Sequence, residues 1–200
     1  MLSAAQEVFA EKGYTDATID EVAARAEYGK GTLYNYFPGG KQEILLAIIE
    51  QFHDELCDLI ACTFGTEPDR PIREAVKDFL QQTFDFFLKR TELFLTILRE
   101  AHRLGLSDDA GPRAFFAQQH ARALNALSAP LEKAMRRGEL RNMPPRMLAH
   151  MILVNINGAQ LRACTAANDP EAVIPESAIE LAEFMTSLLF DGLAPSAPSA

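Results

Sequence analysis

The chain has 200 residues and a formal net charge of −9, from 19 Lys and Arg against 28 Asp and Glu. Hydrophobic residues make up 48% and charged residues 24%, the balance of a globular chain with a sizeable core. No apolar run reaches the roughly 18–20 residues of a membrane span, no basic and then apolar leader is present, and Cys57, Cys62 and Cys164 are too sparse for a disulfide framework, which together point to a reducing cytoplasm and no membrane partner.

Leu2, Ala5, Val8 and Phe9 form a helical stripe, and Gly13 suits the left-handed position that ends a helix. Thr18 is a good N-cap for a helix over 18–26, and Glu21, three residues on, completes a capping box. Ile19, Val22, Ala23 and Ala26 face inward, and the small residues at 23, 24 and 26 let a neighbouring helix cross closely. After Glu27-Tyr28-Gly29 comes Lys30-Gly31-Thr32-Leu33-Tyr34-Asn35-Tyr36-Phe37. Leu33 and Phe37, four apart, share an inward face, while Thr32, Tyr34, Asn35 and Tyr36 point elsewhere. Residues 28–41 contain Lys30 and Lys41 and no carboxylate, so an anionic polymer can approach there despite the net charge. On spacing alone the segment is either a helix for a DNA groove or an ordinary amphipathic surface helix.

Pro38-Gly39-Gly40 breaks the chain, and a long helix runs from Lys41 to about Phe64. Gly65 to Pro71 reads as a loop. Helical periodicity then predicts segments over 72–88, 91–104, 113–137 with Pro130 inside as a kink, 144 to about 167, and 175–193. Turns are expected at 105–112, 138–140 and 168–174, and a disordered tail at 194–200. There is no strand pattern and no internal repeat.

Residues 2–52 resemble the N-terminal domain of the TetR family of transcriptional regulators. Leu2 to Tyr14 resembles its first helix and closing glycine, Thr18 to Ala26 its second, and Lys30 to Phe37 its recognition helix almost letter for letter. Glu27-Tyr28-Gly29 stands where the family has Gly-Val-Ser; it places a carboxylate near the DNA face, on a residue forced towards positive φ. The turn at 38–40 is one residue longer than usual. TetR-like proteins carry a basic arm before the first helix, and here either the start lies upstream or that set of phosphate contacts is missing. The resemblance implies an all-α protein with a three-helix helix-turn-helix domain at 1–40 and a helical effector-binding and dimerisation bundle at 41–193. It also implies a repressor that acts as a homodimer on palindromic double-stranded DNA and is released by a small molecule. Thr32, Tyr34 and Asn35 are the candidates for base edges; Lys30, Tyr36 and Lys41 are those for phosphates.

The phenylalanines of the central helices are core or the wall of an apolar pocket, which the resemblance favours somewhere in this domain. Phe84, Phe87, Phe94 and Phe116, with Arg99, His102, His120 and Asn155 as orienting groups, suit a hydrophobic or aromatic effector. Apolar residues run nearly all round the last two long helices, so Met151, Ile152, Phe184, Met185, Leu188 and Leu189 are expected at a self-complementary dimer interface. His102, His120 and His150 have no ligand partner at metal-site spacing, and His53 with Cys57 reads as an ordinary helix face. No metal or cofactor is expected, and no catalytic constellation is readable. The competing reading is a helical ligand-binding protein with a decayed DNA-binding domain, motivated by Glu27, the absent arm and eight acidic against four basic residues in 1–50.

Overall fold

Each stretch with a helical apolar period is helical in the structure, a computed structural model that describes residues 1–65, 70–166 and 177–192. The elements are α1 (Leu2–Asp16), α2 (Ile19–Arg25), α3 (Lys30–Tyr36), α4 (Lys41–Gly65), α5 (Ile72–Leu88), α6 (Thr91–Gly105), α7 (Ala110–Arg136), α8 (Pro145–Ala166) and α9 (Ala178–Phe190). Among the described residues there is no strand, and the fold is all-α. The expected loop at 168–174 and tail at 194–200 lie outside the described residues.

Local chemistry sets the helix ends. Gly13 takes φ 75°, ψ 164° and breaks the helical path of α1 before its last turn. Thr18 caps α2 in the reciprocal arrangement: its hydroxyl accepts from the Glu21 N–H at 3.2 Å, and the Glu21 carboxylate accepts from the Thr18 N–H at 2.9 Å. Helix α7 starts at Ala110, earlier than the sequence suggests, because Pro112 falls in its first turn, where a missing N–H costs nothing, and Asp109 accepts from the Gly111 N–H at 2.9 Å. The helix continues past Pro130 and closes at Gly138, where φ is 77°.

The chain forms two compact units. Residues 1–56 and 90–123 make the first, and residues 57–89 and 124–200 the second. The first packs α1, α2, α3, the start of α4 and α6 around Phe9, Val22, Leu33, Leu45 and Ile48, each at most 2% exposed. Within the second, α5 packs against α8 and α9. Phe79, Leu80, Phe84, Phe87, Leu127 and Leu131 are buried there. Arg73–Asp191 and Lys77–Glu183 ion pairs at 2.6 and 2.7 Å fasten α5 to α9. Fully burying such side chains contributes about 1.5–3 kcal/mol each, so both units hold their helices by apolar packing.

Candidate nucleic-acid interface

Helices α2 and α3 are joined by a turn that closes α2 in the six-to-one and five-to-two pattern. The Tyr28 N–H donates to the Ala23 carbonyl at 2.9 Å and the Glu27 N–H to the Ala24 carbonyl at 3.2 Å. That pattern needs a left-handed residue after the cap. Glu27 fills it with φ 58°, the one non-glycine positive φ among the described residues. Gly29 then opens α3, its carbonyl accepting from the Thr32 N–H at 2.9 Å.

Leu33 is 1% exposed and pins α3 to the core. Its opposite side is open: Tyr34 is 43% and Tyr36 66% exposed, and Lys30 and Asn35 are exposed as well. Thr32 is half-buried. The side chains of Thr32, Tyr34, Asn35 and Tyr36 make no hydrogen bond within the described residues, which leaves their donors and acceptors for a partner. Phe37 is half-buried and caps the helix, and Gly40, with φ 66°, lies beside the Tyr34 ring.

The cations of this region are committed internally. Arg25 grips Glu7 at 3.0 Å and Glu11 at 2.8 Å, Lys12 pairs with Glu21, and Lys30 pairs with Asp20 at 2.7 Å. The Lys12 ammonium and the two Thr18 donors pull the Glu21 carboxyl down to about 2. Asp20 likewise raises the Lys30 pKa through its hydrogen bond.

Lys41 corrects the expectation of a phosphate contact. Its ammonium donates to the carbonyls of Tyr14, Thr15 and Ala17 at 2.7, 2.9 and 2.9 Å and lies 4.6 Å from the centre of the Tyr14 ring. An ammonium has three donors, so none is left for DNA. What the sequence hides is the fold back of α1's final turn onto the start of α4, which brings together residues 24–27 apart in the chain.

The eight residues expected around an effector divide between the units. Phe84 and Phe87 are buried in the second, where Asn155 is exposed and donates to the Met151 carbonyl at 2.7 Å. Phe94, Phe116 and His120 are half-buried in the first, and Arg99 and His102 are exposed there. A hollow of about 570 Å³ in the second unit has other walls, among them Val76, Leu131, Met143, Leu148, Ile152 and Leu189, with Arg141 on its lining. Of the expected interface residues, Ile152 and Met185 are 2% and 7% exposed and serve the unit's own core. Leu189 is half-buried, while Met151, Phe184 and Leu188 are 47%, 63% and 40% exposed. No helix among the described residues is long and apolar enough to cross a membrane.

Residues 1–48 match the family model described as bacterial regulatory proteins, tetR family. The chain is 35% identical over 86 residues to the HTH-type transcriptional activator FasR of Mycolicibacterium smegmatis; the match spans 43% of this chain and 38% of that protein. It is 24% identical over 156 residues to the HTH-type regulator YhgD of Bacillus subtilis, covering 76% of each. In three dimensions it overlays the transcriptional regulator FadR from Bacillus subtilis, solved in complex with stearoyl-CoA, with a TM-score of 0.77, 20% identity, and coverage of 96% and 97%. These relatives are transcriptional regulators; residues 1–48 are similar to the tetR-family domain, and the likeness to the solved structure over the rest of the chain is one of fold.

Proposed function

We propose that the chain is a ligand-responsive repressor that binds a palindromic operator as a homodimer in the cytoplasm. The observation that carries this is the outer face of α3, where Tyr34, Asn35 and Tyr36 stand exposed, with no side-chain hydrogen bond among the described residues, on a helix anchored by Leu33. Such a helix fits the major groove, with Thr32, Tyr34 and Asn35 at base edges and Lys30 and Tyr36 at phosphates. In this reading residues 1–40 serve DNA and 41–193 serve effector and partner, a division by role that the compact units cut across.

A second copy is the natural cover for α8 and α9. Met147, Met151, Val154 and Leu161 on α8 are 61%, 47%, 45% and 45% exposed, at spacings of one helical face. Phe184 and Leu188 lie one turn apart on α9 and are also exposed. A two-fold, self-complementary interface buries both rows.

The effector is a small apolar or aromatic molecule, for which the 570 Å³ hollow has the size and, in Val76, Leu131, Leu148 and Ile152, an apolar wall beside the charged Glu139, Arg141 and Asp191. FadR's stearoyl-CoA supports an apolar ligand class. The expected set of Phe84, Phe87, Phe94, Arg99, His102, Phe116, His120 and Asn155 is the competing wall, and Met143→Trp, at a half-buried position on the lining of the hollow, tells the two apart.

The experiment is a mobility-shift assay at low salt on the intergenic DNA beside the protein's own gene, with a reporter for that promoter. Retarded DNA and a promoter that rises when the protein is removed support the reading; a promoter that falls makes it an activator. No shift on any DNA favours the helical ligand-binding protein with a decayed DNA-binding domain, a reading that the internal pairing of Lys12, Arg25 and Lys30 supports.

A further inference from the structure

The hollow of the second unit has an apolar depth and a charged rim. Leu131 and Ile152 are 1% and 2% exposed and form its inner wall with Leu148, whereas Glu139, Arg141 and Asp191 stand exposed at its edge. All of them belong to the second compact unit.

Two of the three rim charges are already answered within the protein. Asp191 accepts from Arg73 at 2.6 and 2.7 Å and from the Ser187 hydroxyl at 3.1 Å, and the Arg73 guanidinium pulls its carboxyl down to about 2. Glu139 pairs with Arg137 at 2.5 Å and accepts from the Ile72 N–H at 2.6 Å. Arg141, on the turn between α7 and α8, makes no hydrogen bond or ion pair among the described residues. A guanidinium stays charged at every working pH and offers its donors in a planar fork. The edge of the hollow therefore presents one uncompensated positive charge over an apolar interior.

We propose that the ligand of this hollow is an amphipathic monoanion, an apolar chain or ring that carries one carboxylate, with its body against Leu131, Leu148 and Ile152 and its head on Arg141. This rests on the reading that the effector occupies the hollow. A carboxylate matches the fork of one guanidinium bidentately. A neutral head leaves that fork to water. A head with two negative charges has only one free cation to meet and two carboxylates beside it, which repel it. A cationic head meets Arg141 itself, with the carboxylates already engaged.

The test is titration calorimetry on the full chain without DNA, at about pH 8, where a phosphate monoester is close to a dianion. The probes share one chain and differ in the head: decanoate, decanol, decylammonium and decyl phosphate, each below its micellar concentration. Arg141→Met, at an exposed position without partners, should fold normally. It should weaken decanoate about fivefold, the upper end for an exposed ion pair, and leave decanol unchanged. Arg141→Glu should weaken decanoate further and strengthen decylammonium. In the native chain decyl phosphate should bind no more tightly than decanoate. An unchanged Kd for decanoate in Arg141→Met, an equal loss for decanol, or a tighter Kd for decyl phosphate overturns the proposal. Met143→Trp separates that failure from a failure of the hollow itself. If it weakens every probe that binds, the hollow is the site whatever Arg141 does; if no probe binds, or Met143→Trp changes no Kd, the hollow reading falls and the monoanion with it.

Discussion

Lys41 shows how one side chain is reassigned once its surroundings are known. A lysine at the start of a helix beside a DNA-binding turn reads as a phosphate contact, because ammonium and helix N–H groups suit an anion. In the structure its three donors end on carbonyls of α1's last turn instead. Hydrogen bonds from a charged donor contribute more than neutral ones, and the carbonyls are partly solvated, so Lys41→Met should cost about 2 kcal/mol of stability. It should leave the salt dependence of DNA binding unchanged; a slope lowered by about 0.9 per subunit would restore the phosphate role. Glu27 is the opposite case, legible because the turn demands a left-handed residue and the sequence offers none suited to it. With φ at 58°, Glu27→Gly should raise stability by about 0.5–1 kcal/mol in urea unfolding, the strain relieved less the entropy glycine adds to the unfolded chain.

Among the elements, α8 and α9 carry the clearest consequence. Each has more apolar surface than its own unit covers. Phe184→Glu places a charge on a side chain that is 63% exposed in the single chain, so the fold of the unit should survive while association fails. Sedimentation at micromolar concentration should show dimers for the native chain and soluble monomers for the variant. A native chain that sediments as a monomer removes the dimer reading. Met185→Glu, at 7% exposure, should instead unfold the unit. The two neighbours show where sequence reading stops. Periodicity identifies both helices and their apolar residues, because apolar surface must go somewhere. It does not say whether the cover is the chain's own α5 or another copy, which is why periodicity alone assigns Ile152 and Met185 to a dimer interface although the single chain already buries them. Capping was more legible: Thr18, Glu21 and Gly13 act within four residues of themselves, where sequence spacing is spatial spacing. The effector wall was least so, because phenylalanines spread over several helices have no common register in the chain.

At the scale of the whole molecule the proposed role asks how a chain of net charge −9 would hold a polyanion. Residues 1–50 contain Lys12, Arg25, Lys30 and Lys41 as their only side-chain cations besides the terminus. Three are paired with carboxylates and the fourth with carbonyls. Only Lys30 lies on α3, held by a single exposed carboxylate, so it is the one easily exchanged for a phosphate. One such contact per subunit at about 0.9 gives a log–log salt slope near 2 for a dimer. Operator affinity should then fall only about tenfold between 50 and 200 mM salt, far less than the ~10³–10⁵ of proteins with six to ten phosphate contacts. Asp20→Asn removes the internal competitor and one negative charge. An exposed pair contributes roughly 0.2–1 kcal/mol, so the variant should bind operator and random DNA alike more tightly, by about two- to thirtyfold for two subunits, with the slope nearly unchanged. Isotherms for both proteins on both DNAs at several salt concentrations decide it. A native slope above about 5 means that Arg25 or Lys12 leaves its carboxylates to meet the backbone. A gain confined to the operator means that Lys30 touches a base edge rather than a phosphate.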